Sequence, residues 1–208
     1  MTPKAELRKR HLVWVGGTTP SQRAEWSAAI ARRVIEAEEF GGAGVVMTYL
    51  PMAGEPDVIA INQEVLRRGM RLCVPRCDWD CGRILAVGIG EAMPLKLVRS
   101  RGVMEPAEGD EIDPAAIGVV IVPGVVFDAN GGRLGRGAGF YDRFLLAWRA
   151  ARGKGVGGAG NGRRSGCAIG VAFEGQIAAE VPMEEGDCRV DAVATEARLV
   201  RVPFQTGM

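Results

Sequence analysis

Residues 123–142 concentrate the chemistry of this chain. They read PGVVFDANGGRLGRGAGFYD, with Gly131, Gly132, Gly135, Gly137 and Gly139 set around Arg133 and Arg136, and with Phe140, Tyr141 and Asp142 at the end. An apolar β-branched run, Ile117 to Val122, precedes the segment, and a stretch of helical character, Phe140 to Arg152, follows it. A strand, a glycine-rich loop and a helix start form a place where backbone N–H groups can surround an oxyanion. Absence of Cβ lets the backbone approach a ligand closely, and arginines can grip phosphoryl oxygens through paired hydrogen bonds. Asp142, in the first helical turn, is placed to hold a hard cation such as Mg2+ that also touches the phosphates. Local chemistry leaves a second reading open: a hairpin with Asp128-Ala129-Asn130-Gly131 as its turn and Asp142 as a solvated carboxylate.

Further groups could meet such a loop. Lys4 and Arg8 stand four apart on one helix face; they could clamp a polyphosphate or form a solvated basic face. Glu55 follows the apolar strand end Tyr49-Leu50-Pro51-Met52. There a carboxylate could accept two N–H bonds from a flat heterocycle such as a pterin, or be a first-turn glutamate favoured by the helix dipole. Phe140 and Tyr141 could stack on a ring or pack in the core. Asp187 could be a second cation ligand or part of an ordinary acidic loop.

Other machineries fit poorly. The pattern G-x-x-x-x-G-K-[ST] is absent. G-x-G-x-x-G occurs at Gly155 to Gly160, but after a helix rather than between a strand and a helix. Residues 153–166, rich in glycine and arginine, therefore read as a flexible surface insertion. Cys73, Cys77 and Cys81 share a C-x-x-x-C-x-x-x-C spacing, yet a closed zinc site needs a fourth ligand, and the only histidine, His11, lies in another segment. An odd count of cysteines without a secretory signal suggests reduced thiols. Triad chemistry would have to use His11, which has no acidic orienter nearby. A net charge of +1 argues against nucleic acid or a membrane surface as partner. There is no apolar run of spanning length and no signal-peptide pattern, so a soluble cytoplasmic protein is expected.

The elements that must position these groups can be read from punctuation and periodicity. Thr2-Pro3 and Thr19-Pro20 are cap-and-first-residue pairs that open helices over about 3–15 and 20–40. A further helix is predicted over 56–68 and another over 140–152, with strands at 45–50, 71–74, 83–87, 96–98, 117–122, 167–172, 190–194 and 198–202. Buried strands alternating with helices predict an α/β fold: a mostly parallel sheet covered on both faces, with ligands at the strands' carboxyl ends. That puts Pro51 to Glu55, Pro75 and the glycine loop on one rim.

Taken together, these residues resemble the 5-formyltetrahydrofolate cyclo-ligase (methenyltetrahydrofolate synthetase) family. Its signature P-G-x-x-F-D-x-x-G-x-R-L-G-x-G-x-G-Y-Y-D is matched from Pro123 to Asp142. The order of the other pieces agrees: Lys4-x-x-Leu7-Arg8, Tyr49-x-Pro51 with Glu55, and Gly102-Val103-Met104-Glu105-Pro106. Gln176, Pro182, Asp187 and Asp191-x-Val193-x-Thr195-Glu196 follow the loop. The resemblance implies a three-layer α/β/α sandwich, one domain over 1–208, and conversion of 5-formyltetrahydrofolate with MgATP to 5,10-methenyltetrahydrofolate, ADP and phosphate. It implies ATP binding by Lys4, Arg8, Arg133, Leu134, Gly135, Arg136, Gly137, Ala138, Gly139, Phe140 and Tyr141. It implies folate contacts from Leu50, Glu55 and the Arg136 to Phe140 part of the loop, and Mg2+ on Asp142 and Asp187. A monomer acting on small molecules is expected. Phe140 departs from the family's first tyrosine, and Gly186 from its usual His or Asn. A relative acting on another N-formylated heterocycle, or a folate- or nucleotide-binding protein without turnover, is the alternative.

Overall fold

The computed structural model describes residues 2–90, 96–153 and 166–203. The expected insertion at 153–166 lies outside them except at its ends, as does the glycine match at 155–160. The chain opens with α1 (Pro3–Gly16), α2 (Pro20–Glu36) and a single turn, α3 (Glu38–Gly41). Both Thr-Pro pairs cap as their chemistry dictates. Thr2 Oγ1 accepts from the Ala5 N–H, and Thr19 forms a reciprocal capping box with Gln22. Then follow β1 (Val45–Met47), α4 (Ile59–Arg67), the antiparallel pair β2 (Arg71–Asp78) and β3 (Arg83–Ile89), and the hairpin of β4 (Leu97–Ser100) and β5 (Val103–Pro106). The second half contains β6 (Val119–Pro123), β7 (Val126–Asp128), β8 (Arg133–Leu134), α5 (Phe140–Gly153), β9 (Cys167–Val171), β10 (Ile177–Ala178), β11 (Ala192–Ala194) and β12 (Leu199–Arg201).

Seven strands form the central sheet in the order β12-β11-β9-β6-β1-β2-β3. The inner five pair in parallel, and β12 and β3 close the edges antiparallel. Alternate residues feed two cores. Val46, Val119, Ile121 and Ile169 pack under α2, α3 and α4 against Ile30, Val34, Phe40 and Ile61. Val45, Met47, Val120 and Val122 pack on the opposite face against Phe144, Leu145 and Trp148 of α5. The sheet is thus buried on both sides, which is why its strands read as continuous apolar runs. From β1 the chain steps one way to β2 and the other way to β6, so a crevice opens between the carboxyl ends of β1 and β6.

Several expected boundaries shift for local reasons. The second helix breaks at Ala37, whose ψ of 138° is extended, and the following turn drives Phe40 fully into the core. β1 stops early because Glu55 and Met52 close a turn with Gly54 at positive φ. The next helix accordingly begins at Ile59 rather than at residue 56. β2 runs through Pro75 to Asp78, so Pro75 lies inside a strand rather than after one. Beyond Cys73 its only ladder partner among the described residues is β3, and the missing proline N–H falls on the side β1 has vacated. The glycine loop itself holds the β7–β8 hairpin that its Asp128 to Gly131 turn allowed, and the addition of β10, which makes a small separate sheet, is what the sequence reading did not anticipate.

Candidate active site

The glycine loop is held from beneath by Asp128, only 1% exposed. Its Oδ1 accepts from the N–H groups of Asn130 and Gly132, both at 2.8 Å, and its Oδ2 from Val181 at 2.7 Å. This explains the β7–β8 turn and ties it to the chain leading to Asp187. Past β8, Gly137 and Gly139 adopt φ of 110° and 69°, which an L side chain rarely tolerates. They deliver the chain into α5, whose first turn carries Phe140, Tyr141 and Asp142. Arg143 braces this entry by donating to Ala138 O and to Gly82 O in the β2–β3 turn.

Cations and carboxylates then meet in pairs. Arg133, whose side chain is 3% exposed, donates through Nη2 to Asp142 Oδ1 at 2.6 Å. The same oxygen accepts the Cys188 N–H at 3.2 Å. Lys4 Nζ reaches Asp187 Oδ2 at 2.6 Å and Glu184 at 3.0 Å. Burial opposes the Lys4 charge, but its hydrogen bonds to Asp187 and Glu184 outweigh this and raise the ammonium above its usual 10.5. Burial likewise opposes ionisation of Asp187, yet Lys4 and the Glu184 N–H hold that carboxyl below 3.8. Arg8 donates from Nε to Gly135 O at 2.7 Å, so α1 grips the loop directly.

The other end of the site is built around Glu55. Its Oε2 accepts the Met52 N–H at 2.9 Å, and its Oε1 lies 3.3 Å from Arg136 Nε. Glu55 sits in a turn four residues before α4, so it is not the first-turn glutamate that sequence allowed. Tyr49 donates to Pro56 O at 2.7 Å, while the buried Tyr141 hydroxyl has no hydrogen-bond partner among the described residues. Burial, reinforced by Glu55, raises both phenols, which remain neutral donors. Burial and then Glu105 push the Cys77 thiol up to about 12, which keeps it protonated and a poor metal ligand. Cys73 is buried and Cys81 exposed.

One cleft of about 680 Å3 joins these parts at the crevice between β1 and β6. Every residue to which the family resemblance gave a binding role lines it: Lys4, Arg8, Leu50, Glu55, the run Arg133 to Tyr141, Asp142 and Asp187. Sequence reading missed Trp79 and Arg101. Trp79 packs edge-on against Phe140 with ring centroids 5.0 Å apart, and the Arg101 guanidinium lies 5.1 Å over Trp79. A tryptophan between two short strands, Asp78-Trp79-Asp80, was the available signal. Asp142 Oδ2 and Asp187 Oδ1 accept no hydrogen bond among the described residues. Two hard oxygens could hold a magnesium ion, while Lys4 and Arg133 beside them suit phosphate oxygens. No cluster of three or more ligating side chains that could hold a metal ion occurs among the described residues.

A two-sided α/β sheet with a basic, glycine-lined cleft at its switch point defines a phosphoryl-handling ligand site of the doubly wound class. Comparison narrows this. The profile of the 5-formyltetrahydrofolate cyclo-ligase family matches residues 1–196, and the chain belongs to that family. It is 29% identical to the 5-formyltetrahydrofolate cyclo-ligase of Mycolicibacterium smegmatis over 95% of this chain and 97% of that one. It is 25% identical to the mouse 5-formyltetrahydrofolate cyclo-ligase over 93% of this chain and 91% of that protein. The NMR structure of Aquifex aeolicus 5,10-methenyltetrahydrofolate synthetase superimposes with a TM-score of 0.79 at 29% identity, covering 100% of this chain and 96% of that one.

Proposed function

We propose that this protein converts 5-formyltetrahydrofolate and ATP to 5,10-methenyltetrahydrofolate, ADP and phosphate in the cleft between β1 and β6. The observation that carries the reading is the pairing of Arg133 with Asp142 and of Lys4 with Asp187 on one wall, with Glu55 across the same cleft. The formyl oxygen is a poor leaving group. Transfer of the γ-phosphoryl group to that oxygen releases ADP; folate N10 then attacks the formyl carbon, its proton is lost, and phosphate departs with the oxygen. Such a transfer asks for positioning and charge neutralisation rather than a covalent nucleophile. Lys4, Arg8, Arg133 and the loop amides bind the phosphates; Arg136 and Leu134 to Tyr141 shape the space between the two substrates. Glu55, with Leu50 beside it, accepts from the flat ring system.

Asp142 and Asp187 would hold Mg2+, which supplies charge neutralisation at the phosphates when bound. The neutral tyrosines and the protonated Cys77 add no competing charge to the Glu55 end of the cleft. We place the protein in the cytoplasm as a single-domain monomer without nucleic-acid or membrane partners. The near-zero net charge argues against nucleic-acid and membrane-surface partners, and no described helix is long and apolar enough to cross a membrane.

The decisive experiment follows methenyltetrahydrofolate absorbance with purified protein, 5-formyltetrahydrofolate, ATP and Mg2+, with and without EDTA. Turnover that requires both ATP and the cation is expected. Tight binding of ATP or folate without product would remove the assignment in favour of another formylated substrate or a binding role.

A further inference from the structure

The β4–β5 hairpin turns at the mouth of the cleft through two residues, Arg101 and Gly102, since Ser100 pairs with Val103. Both take left-handed backbone, with φ of 45° and 87°. Two-residue turns of this kind favour Asn-Gly or Gly-Gly, because a long side chain is unfavourable at positive φ. Arg101 is the sole non-glycine residue with positive φ among the described residues. A backbone held against its preference is a reason to look for a task.

The side chain supplies one. Arg101 lines the cleft with its guanidinium carbon 5.1 Å from the centre of the Trp79 ring, and Trp79 in turn meets Phe140. The ring's attraction for the cation holds the side chain in place and leaves N–H donors available to a ligand. No acidic side chain among the described residues pairs with Arg101, whereas Lys4, Arg133 and Arg136 each face a carboxylate. Glu55, Phe140, Trp79 and Arg101 line the same cleft, so a folate whose flat ring system sits at Glu55 would run past the Phe140–Trp79 wall toward Arg101. What it carries there is a glutamyl group with two carboxylates. We propose that Arg101, held on Trp79, is the specificity-determining residue that receives those tail carboxylates. The inference rests on the folate reading of the cleft.

The test compares KM and kcat for 5-formyltetrahydrofolate and for 5-formyltetrahydropteroate, which lacks the glutamate, in wild type, Arg101→Gln and Arg101→Gly. In wild type the glutamylated substrate is expected to have the lower KM, by about fivefold, the size of one partly solvated charge contact. Both variants should raise that KM about fivefold, with kcat retained and the KM for ATP unmoved, and should erase the preference between substrates. Arg101→Gly, which suits the turn, should melt no lower than wild type, separating lost charge from lost folding. An equal KM rise for both substrates would reduce Arg101 to a wall residue and overturn the proposal. An unchanged KM, or a shift in the KM for ATP instead, would overturn it too. Failure of the wild type to turn over either substrate would overturn the folate reading and this inference with it.

Discussion

Arg133 carries a full charge into a nearly closed space, and Asp142 is the group that answers it. Its Nε finds no acceptor among the described residues, so the pair depends on the single contact through Nη2. Replacing one partner of an enclosed ion pair leaves the other uncompensated, at a cost of about 3 kcal/mol. Asp142→Asn should therefore lower the denaturation midpoint as well as reduce kcat by about 100-fold or more, the usual scale for a lost electrostatic contact to a transition state. Asp187→Asn separates the two effects, because Lys4 keeps Glu184 as a second partner. Its kcat should fall as far, with a much smaller loss of stability; steady-state rates and urea titrations on both variants check this. The pH dependence has a definite sign. Asp187 has a folded-state value depressed below 3.8, so its stabilisation is present above 3.8 and lost as pH falls through the lower folded value. The stability difference between wild type and Asp187→Asn should persist at neutral pH and vanish on the acid side of 3.8. A difference that grew on acidification would contradict the assigned partner.

At the scale of elements, α1 governs whether the site is complete. It brings Lys4 and Arg8, yet it lies outside the central sheet and docks by its far end. His11, buried and held neutral chiefly by that burial, donates from Nδ1 to Gly175 O at 3.0 Å. Trp14 packs over Gly175 and stacks on Trp26 with centroids 6.0 Å apart. A Cβ at Gly175 would overlap the Trp14 indole. Gly175→Ala should thus tilt the helix and raise the KM for ATP about threefold to tenfold, while the KM for folate changes little. Separate titrations of each substrate would show it, and equal shifts in both would mean that the effect spreads beyond α1. The start of α1 was legible in sequence because Thr2-Pro3 is a local signal, and so was the glycine loop, where turn chemistry acts over a few residues. The β4–β5 hairpin was not. Its Arg-Gly turn lacks the Asn-Gly signature, and Arg101 and Trp79 meet only because the β2–β3 turn and a second hairpin converge in space. Pro75 misled for a related reason: proline reads as a strand end unless one knows that the neighbouring strand has already stopped.

For the whole molecule, the sheet's two cores leave the cleft as the place where independent pieces converge. α1, the chain leaving β1, the loop after β6, the first turn of α5 and the 184–187 turn each contribute a wall. Their sequence separation explains why Lys4, Glu55 and Asp187 could be joined from sequence only through the order of family motifs. In the folded chain they meet because the strand order reverses at β1. A ligand bound there touches segments from both ends of the chain, so it should stabilise the fold as a unit. For a nucleotide at 100 times its Kd the gain is about 2.7 kcal/mol, readable as a rise in Tm. If Asp142 and Asp187 share a cation with the phosphates, EDTA should remove most of that rise without moving the Tm of the ligand-free protein, and Asp187→Asn should make the rise insensitive to EDTA. A nucleotide-induced shift in the wild type that ignores EDTA would instead mean that Lys4, Arg8 and Arg133 hold the phosphates unaided. The two carboxylates would then serve only to orient those side chains, and the predicted kcat losses would have to be read as displaced arginine and lysine rather than a missing cation.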